Sequence, residues 1–375
     1  SINIPSSVIS IGEGAIQSCR SLTSINIPSS VTSIEGWAFN GCISLTSINI
    51  PNSVTKIESF AFAQCSSLTS INIPSSVTSI EGGAFYDCSS LTSINIPSSV
   101  TSIDGSAFDG CSSLTAFTVD ANNPNYCAEG CMLFNKEKTT IIKAVGSQKT
   151  YNIPSSVTSI EGRAFLGCSA LTSINIPSSV TSIGESAFLD CSALTSINIP
   201  SSVTSIKSGA FSGCRSLTSI NIPSSVTSIG YGAFWNCSAL KTIVLQSDRI
   251  LLGESVFEDC GSIYAISDNL EIDINFKPSY YNTADSSLGG TWYTCGKPII
   301  TYNGSVTGRW TGHLLDKNTV QYLRTIFKTS TNAQTLISNH NAIYNNLSEN
   351  LRNDLEDNLQ KVDDLSSVIA EGDVA

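Results

Sequence analysis

Cysteine is the residue best equipped for chemistry in this 375-residue chain, and its spacing argues for structure instead. Cys19, Cys42, Cys65, Cys88 and Cys111 fall 23 residues apart, and Cys168, Cys191, Cys214, Cys237 and Cys260 resume the same beat. A reactive thiol needs one particular electropositive neighbourhood. A thiol that recurs at a fixed period fills one small apolar slot many times over. These ten are therefore expected to be reduced and buried. Cys127, Cys131 and Cys295 lie off the beat. The run Cys127-Ala-Glu-Gly-Cys131 leaves a local disulfide open, and no second Cys/His pair follows that would complete a zinc site. The count of thirteen is odd, so at least one thiol stays free unless chains are cross-linked.

Other reactive patterns are missing from the sequence. The two histidines, His313 and His340, stand outside the periodic region. There is no GxSxG, no HExxH, and no phosphate-binding or dinucleotide glycine loop. Glu254, Asp259, Asp268, Glu271 and Asp273 lack calcium-loop spacing and read as a solvated surface. Glu35, Glu58, Glu81, Asp104 and Glu161 share one repeat position and are expected to form an acidic ridge. Such a ridge keeps an array soluble, and it could also collect cations or a basic partner. The expectation is a protein with no catalytic residue, no cofactor and no metal.

Composition agrees. Only 13% of residues are charged, the formal net charge is -11, and 41% are hydrophobic. An acidic chain poor in Lys and Arg is a weak candidate for nucleic acid. No apolar run nears the roughly 20 residues needed for a membrane span. The chain begins at Ser1 inside a repeat, so it is expected to be a piece of something longer or a processed form.

What positions these residues is the repeat itself. Pro5, Pro28, Pro51, Pro74 and Pro97 keep the 23-residue interval, as do Pro154, Pro177, Pro200 and Pro223. Phe39, Phe62, Phe85 and Phe108, then Phe165, Phe188, Phe211, Phe234 and Phe257, keep it too. In one unit, alternation turns Leu22, Ile25 and Ile27 inward and Ser24 and Asn26 outward. Pro28 ends that strand, Val31 and Ile34 supply a second inward stretch, and Ala38-Phe39 before Cys42 suggests a short helical or 3₁₀ turn. The beat breaks once, because Pro97 to Pro154 spans 57 residues. The insert at 119–151 holds a turn cluster at Asn122–Asn125 and two short strands, Cys131–Phe134 and Thr140–Val145. A hairpin-like turn, Asn135–Lys138, joins the two strands.

The unit LTSINIPSSVTSIxxxAFxxC resembles the BspA-like (Treponema pallidum-type) leucine-rich repeats of bacterial and protozoan surface proteins over about residues 1–266. The NNPNY…LFNKEKTT segment is similar to the hairpin-bearing irregular repeat of that family. The resemblance implies a curved solenoid, adhesion or host binding, and no catalytic residues. The expected fold is an α/β repeat solenoid, a leucine-rich-repeat stack with parallel strands and one hairpin-bearing irregular repeat. A small capping module and C-terminal helices follow it.

Two sets of residues are candidates for contact. The strand face repeats Asn26, Asn49, Asn72, Asn95, Asn175, Asn198 and Asn221 beside serines, a lattice that suits a repetitive ligand or merely a solvated face. The variable positions after the SI pair and around AF carry Trp37, Phe60, Tyr86, Tyr231 and Trp235. Trp37 and Phe60 are one repeat apart and are expected to stack. Exposed aromatics make good anchors.

The expected domains are the solenoid at 1–266, a capping β module at 267–315 and a helical tail at 316–375. Trp292, Tyr293 and Trp310 are assigned to the core of the capping module, as a solenoid needs an end cover. A helix from about Asn332 to Glu371 carries a stripe from Leu336 through His340, Ile343 and Leu347 to Ile369, 33 residues in nine intervals. That period favours a straight or slightly right-handed bundle, so residues 332–371 could form a homo-oligomer. Two functions stand. The first is an extracellular or cell-surface binding protein whose partner is a protein or glycan on a host or neighbouring cell. The second is a receptor-binding subunit of a viral tail, fibre or other surface assembly, oligomerised through its helix.

Overall fold

The computed structural model describes residues 2–240, 242–245, 251–253, 255–260, 264–267, 290–291, 299–302 and 311–313. The expected tail helices, the oligomerising stripe, Cys295 and the aromatic residues of the capping module lie outside them. The chain forms two compact units, Ser1–Ser192 and Ala193–Ala375.

In the first unit each 23-residue repeat is one coil carrying two short strands. Ile2–Asn3, Ser24–Asn26 and Ser47–Asn49 pair in parallel, with Ile25 beside Ile2 and Ile48. Asn72 continues the file by bridging Asn49. A second parallel file runs through Lys56–Ile57, Ser79–Ile80 and Ser102–Ile103. Register follows from the repeat, since a one-residue slip would turn Ile25 and Ile48 out to water.

The turn after the second strand is not a helix. Trp37, Phe39 and Gly41 donate their N–H groups forward to Ser59, Ala61 and Ala63 of the next coil, at 3.1, 2.8 and 2.8 Å. The alternate residues Ala38, Asn40 and Cys42 donate locally, to Glu35, Trp37 and Phe39. Trp37 and Gly41 are left-handed, with φ of 61° and 72°. Every second amide leaves the coil, so no i→i−4 ladder can form. Among the described residues the expected helical character reduces to one 3₁₀ turn, Gly105–Phe108. The α part of the expected α/β solenoid is corrected accordingly for these residues.

The core is a set of ladders. Phe39, Phe62, Phe85 and Phe108 stack at 5.4, 5.8 and 5.8 Å with planes within 8°. Ala38, Val54, Leu68 and Val77 are fully buried around them. The on-beat cysteines are free thiols. Cys42, Cys65, Cys88 and Cys111 donate to the carbonyls of Ile16, Phe39, Phe62 and Phe85, at 3.1–3.3 Å. Cysteine suits the slot because it packs as a small apolar residue and still satisfies a buried carbonyl. Burial pushes the Cys42 thiol up to about 11 and those of Cys65 and Cys111 to about 12.

The insert is a three-stranded meander. Tyr126–Glu129 pairs antiparallel with Met132–Asn135, which pairs with Thr140–Ala144. Thr140–Ala144 then joins Ser159–Ile160 in parallel and restarts the second file. The first of these strands was not expected; Tyr126, Cys127 and Ala128 are all half-buried, so it carries no inward–outward alternation to read. Cys127 and Cys131 are free, and the Cys127 thiol donates to the Asn135 carbonyl at 3.2 Å. Asn123 is fully buried and fully used. Its amide donates to the carbonyls of Pro97 and Val100, at 2.8 and 2.9 Å, and its oxygen accepts from the backbone of Asn125 and Tyr126.

In the second unit, Ser196–Asn198, Ser219–Ile222, Thr242–Leu245 and Tyr264–Ser267 form one parallel file. Ser205–Ile206, Ser228–Ile229 and Leu251–Leu252 form the other. Phe211, Phe234 and Phe257 stack at 5.4 Å. Gly290–Thr291, Ile299–Tyr302 and Thr311–His313 make an antiparallel three-stranded sheet.

Candidate contact surface

Two outward surfaces follow from this coil. On the first strand file, Asn26, Asn49, Asn72, Asn95, Asn175, Asn198 and Asn221 are all exposed. Register brings Asn3, Asn26, Asn49 and Asn72 into one column, Asn152 beside Asn175, and Asn198 beside Asn221. Among the described residues none of the seven predicted asparagine side chains makes a hydrogen bond within the protein. The neighbouring threonines differ. Thr46 and Thr92 spend their hydroxyls on the carbonyls of Thr23 and Thr69 one coil earlier. The amides are the part of this face left for a partner.

The aromatic residues occupy three positions of the turn. Trp37 and Phe60 precede the Ala-Phe pair, Tyr86 and Trp235 follow it, and Tyr231 stands one place earlier than Trp37 does in its own coil. Tyr231 and Trp235 are exposed in the second unit, where the Trp235 indole donates to Asp259 at 3.0 Å. The first unit gathers the other three. Trp37 and Phe60 stack with centroids 4.3 Å apart and planes 15° from parallel. Tyr86 meets Phe60 edge-on at 6.3 Å. Trp37 and Tyr86 are each 37% exposed, and Phe60 is half-buried.

The backbone under these rings follows the turn of the coil, and Arg163 and Ser186 hold the same left-handed φ, 59° and 55°, at the same repeat position. Trp37 and Phe60 hold φ of 61° and 56°, at the position where Gly14 and Gly83 hold 61° and 64°. The left-handed region costs a residue with a side chain about 1–2 kcal/mol. Stacking an aromatic pair returns about 0.5–1.5 kcal/mol. Two bulky rings therefore stand in left-handed backbone that Gly14 and Gly83 occupy without that cost, and their mutual stacking offsets part of it. Gly83 also makes room: a Cβ there would lie 2.3 Å from the Phe60 ring.

Residues not singled out from the sequence complete the patch. Gln17 follows Ile16, which takes the place of the core ring in its coil, and donates through Nε2 to Asn40 Oδ1 at 3.2 Å. Asn40 in turn donates to the Ala63 carbonyl at 3.4 Å. Reading glycine against aromatic at positions 14, 37, 60 and 83 would have found them. The acidic ridge is partly committed to the fold. Glu35 accepts from the Ser10 hydroxyl and the Glu13 N–H, both at 3.1 Å, and Asp104 accepts from the Ser106 N–H at 2.8 Å. Burial and the neighbouring Asp109 push the Asp87 carboxyl above its usual range. Among the described residues no group of three or more His, Cys, Asp or Glu could hold a metal, and no helix is long and apolar enough to cross a membrane.

The comparisons agree with this architecture. A solved leucine rich cell surface protein from Faecalibacterium prausnitzii A2-165 is 38% identical, with a TM-score of 0.58, over 63% of this chain. This chain spans 63% of the length of that protein. The pneumococcal vaccine antigen PcpA shares the fold at 22% identity, with a TM-score of 0.59, over 70% of this chain and 75% of its own. No functionally curated protein matches. The model of the BspA type leucine rich repeat region matches in six copies over residues 1–115 and 143–264, more than half of the chain. The chain therefore belongs to the BspA-type leucine-rich repeat family.

Proposed function

We propose that this chain is a non-enzymatic binding or adhesion module displayed outside the cell or at its surface, with a protein or glycan of a host or neighbouring cell as its partner. The observation that carries this reading is the stacked Trp37–Phe60 pair, held in left-handed backbone and still partly open to solvent. Glycine adopts that backbone at no steric cost, as Gly14 and Gly83 do in the coils to either side. Membership of the BspA-type family and likeness to a protein titled a leucine rich cell surface protein support it. The unpaired asparagine column supplies a second, repetitive set of contacts. On this reading residues 267–315 serve as the end cover of the solenoid, and residues 316–375, whose sequence predicts a helix, join the module to an assembly or to copies of itself.

The test is binding of labelled full-length chain to cell surfaces. The triple variant Trp37→Ala, Phe60→Ala, Tyr86→Ala should lose most of the binding. Unchanged binding by the triple variant, or none by the original chain, ends this reading. Light scattering on the full chain tests the tail: a monomer at all concentrations removes the oligomer.

A further inference from the structure

Resting on the binding reading above, we infer that the face of Trp37 turned toward the first coil is a sugar-stacking subsite for a neutral oligosaccharide. One side of Trp37 is covered by Phe60 at 4.3 Å. The other side faces the coil of Gly14, which occupies the same repeat position. Phe60 shows what a ring at this position does: it lies over the glycine of the next coil, Gly83. A ring on residue 14 would lie in the same way against Trp37. Gly14 has none, and within 4 Å of a Cβ placed there only Gln17 is met. The coil geometry therefore leaves no ring stacked on the first-coil face of the Trp37 indole, a slot with Gly14 as floor and the Gln17 amide at its edge.

The borders of the slot are polar. Gln17 Oε1 lies 3.1 Å from where that Cβ would be, with its Nε2 held by Asn40. On the other border the Glu35 carboxylate is fixed by the N–H of Glu13, the residue before Gly14. An indole face is electron-rich, and the C–H face of a pyranose is apolar and weakly positive, so the two complement each other. An amide and a carboxylate beside it accept and donate to ring hydroxyls. No Lys or Arg takes part in these contacts, and Glu35 would repel a sialylated or sulfated sugar. A proline-rich peptide needs grooves between splayed rings, and stacked Trp37 and Phe60 leave no groove between them.

The probe is an array of neutral hexose and N-acetylhexosamine oligosaccharides, with sialylated versions alongside, read with the full chain and followed by calorimetry on the strongest neutral ligand. Trp37→Ala and Gln17→Ala should each weaken binding about tenfold or more, and Trp37→Phe should weaken it less. Arg215→Ala, at an exposed position of the second unit, should leave it unchanged. Thermal melts within a few degrees of the original chain would show that loss is not unfolding. Absence of neutral-sugar binding by the original chain, or affinity indifferent to both Trp37→Ala and Gln17→Ala, overturns the inference. If cell binding instead survives enzymatic deglycosylation yet falls with Trp37→Ala, the partner is a protein: the subsite is refuted and the adhesion reading stands.

Discussion

A regular coil and the insert coil meet the same packing demand in opposite ways. In a regular coil one Phe ring lies flat on the ring before and after it, as Phe85 does between Phe62 and Phe108. In the insert coil the same place belongs to Ala144. Its N–H donates to Ala164, as Phe165 donates to Ala187, and its carbonyl faces the Cys168 thiol. The missing ring volume is supplied from the flanking strands. Phe117 stands opposite Ile94, where an isoleucine is usual, and turns edge-on to Phe108 at 5.4 Å. Asn152 bridges Asn175, which sets Tyr151 opposite Ile174, and Tyr151 meets Phe165 edge-on at 5.2 Å. The Tyr151 hydroxyl donates to the carbonyls of Val145 and Gly146. A buried Lys143–Asp109 ion pair, with Arg163 on the other carboxylate oxygen at 3.3 Å, fills the same region. A ladder is maintained by identity of neighbours; a missing rung needs several coordinated substitutions.

The largest expected effect is alkaline, and it reaches the regular coils through their thiols and the insert coil through the Tyr151 hydroxyl, which burial also pushes up. Folded thiols of the regular ladder titrate near 11 and 12, whereas in the unfolded chain they titrate near 8.5. Below the unfolded value this contributes full stability. As pH rises from about 9 toward 12 the unfolded state loses protons first, and stability falls. Melting temperature should drop steeply over that window, and replacing Cys65 and Cys111 with Ala should flatten the drop. A flat profile in the original chain would refute the buried-thiol account.

Next come single truncations. Phe85→Ala should cost about 3–5 kcal/mol, and Lys143→Ala, which leaves Asp109 buried beside a single partial partner, about 3–5 kcal/mol. Denaturant unfolding combined with hydrogen exchange should place the first loss in the regular coils and the second around the insert. Exchange that spreads evenly in both variants would erase the contrast.

Smaller still is the reciprocal substitution. Ala144→Phe adds the ring that every regular coil has, yet it should destabilise by about 1–3 kcal/mol, because Phe117 and Tyr151 already occupy the space. Stabilisation on chemical unfolding would mean that the insert coil carries a real void. An effect of similar size concerns the aromatic patch. Gly83→Ala meets both left-handed backbone and the Phe60 ring, and should cost about 1–3 kcal/mol. In a Phe60→Gly background the penalty should shrink, and a double-mutant cycle reads the coupling. A coupling of zero would place Phe60 elsewhere.

Much of the fold was legible because three residue types kept one period. The Pro, Phe and Cys beats define where strands end, where rings stack and where thiols sit, and the stacking of Trp37 on Phe60 followed from a 23-residue separation. The turn was not legible. A short Ala-Phe segment looks helical in isolation, and only the neighbouring coil reveals that its amides bond forward. The candidate surface was half legible. The five aromatics and the asparagines were visible as variable and monotonous outward positions, while the parts played by Gly14, Gln17 and Gly83 depend on what lies across the coil gap.

The sequence by itself determined the period, the inward and outward residues, the break at the insert and the family, since each of these is a property of order along the chain. Tertiary structure alone decided which amides leave their own coil, which rings fill the place vacated at Ala144, and how closely Phe60 covers Trp37. Those outcomes rest on contacts between neighbouring coils, such as Phe108 with Phe117, Tyr151 with Phe165 and Trp37 with Phe60, and a contact energy depends on distance in space, which repeat spacing fixes only where every coil is the same.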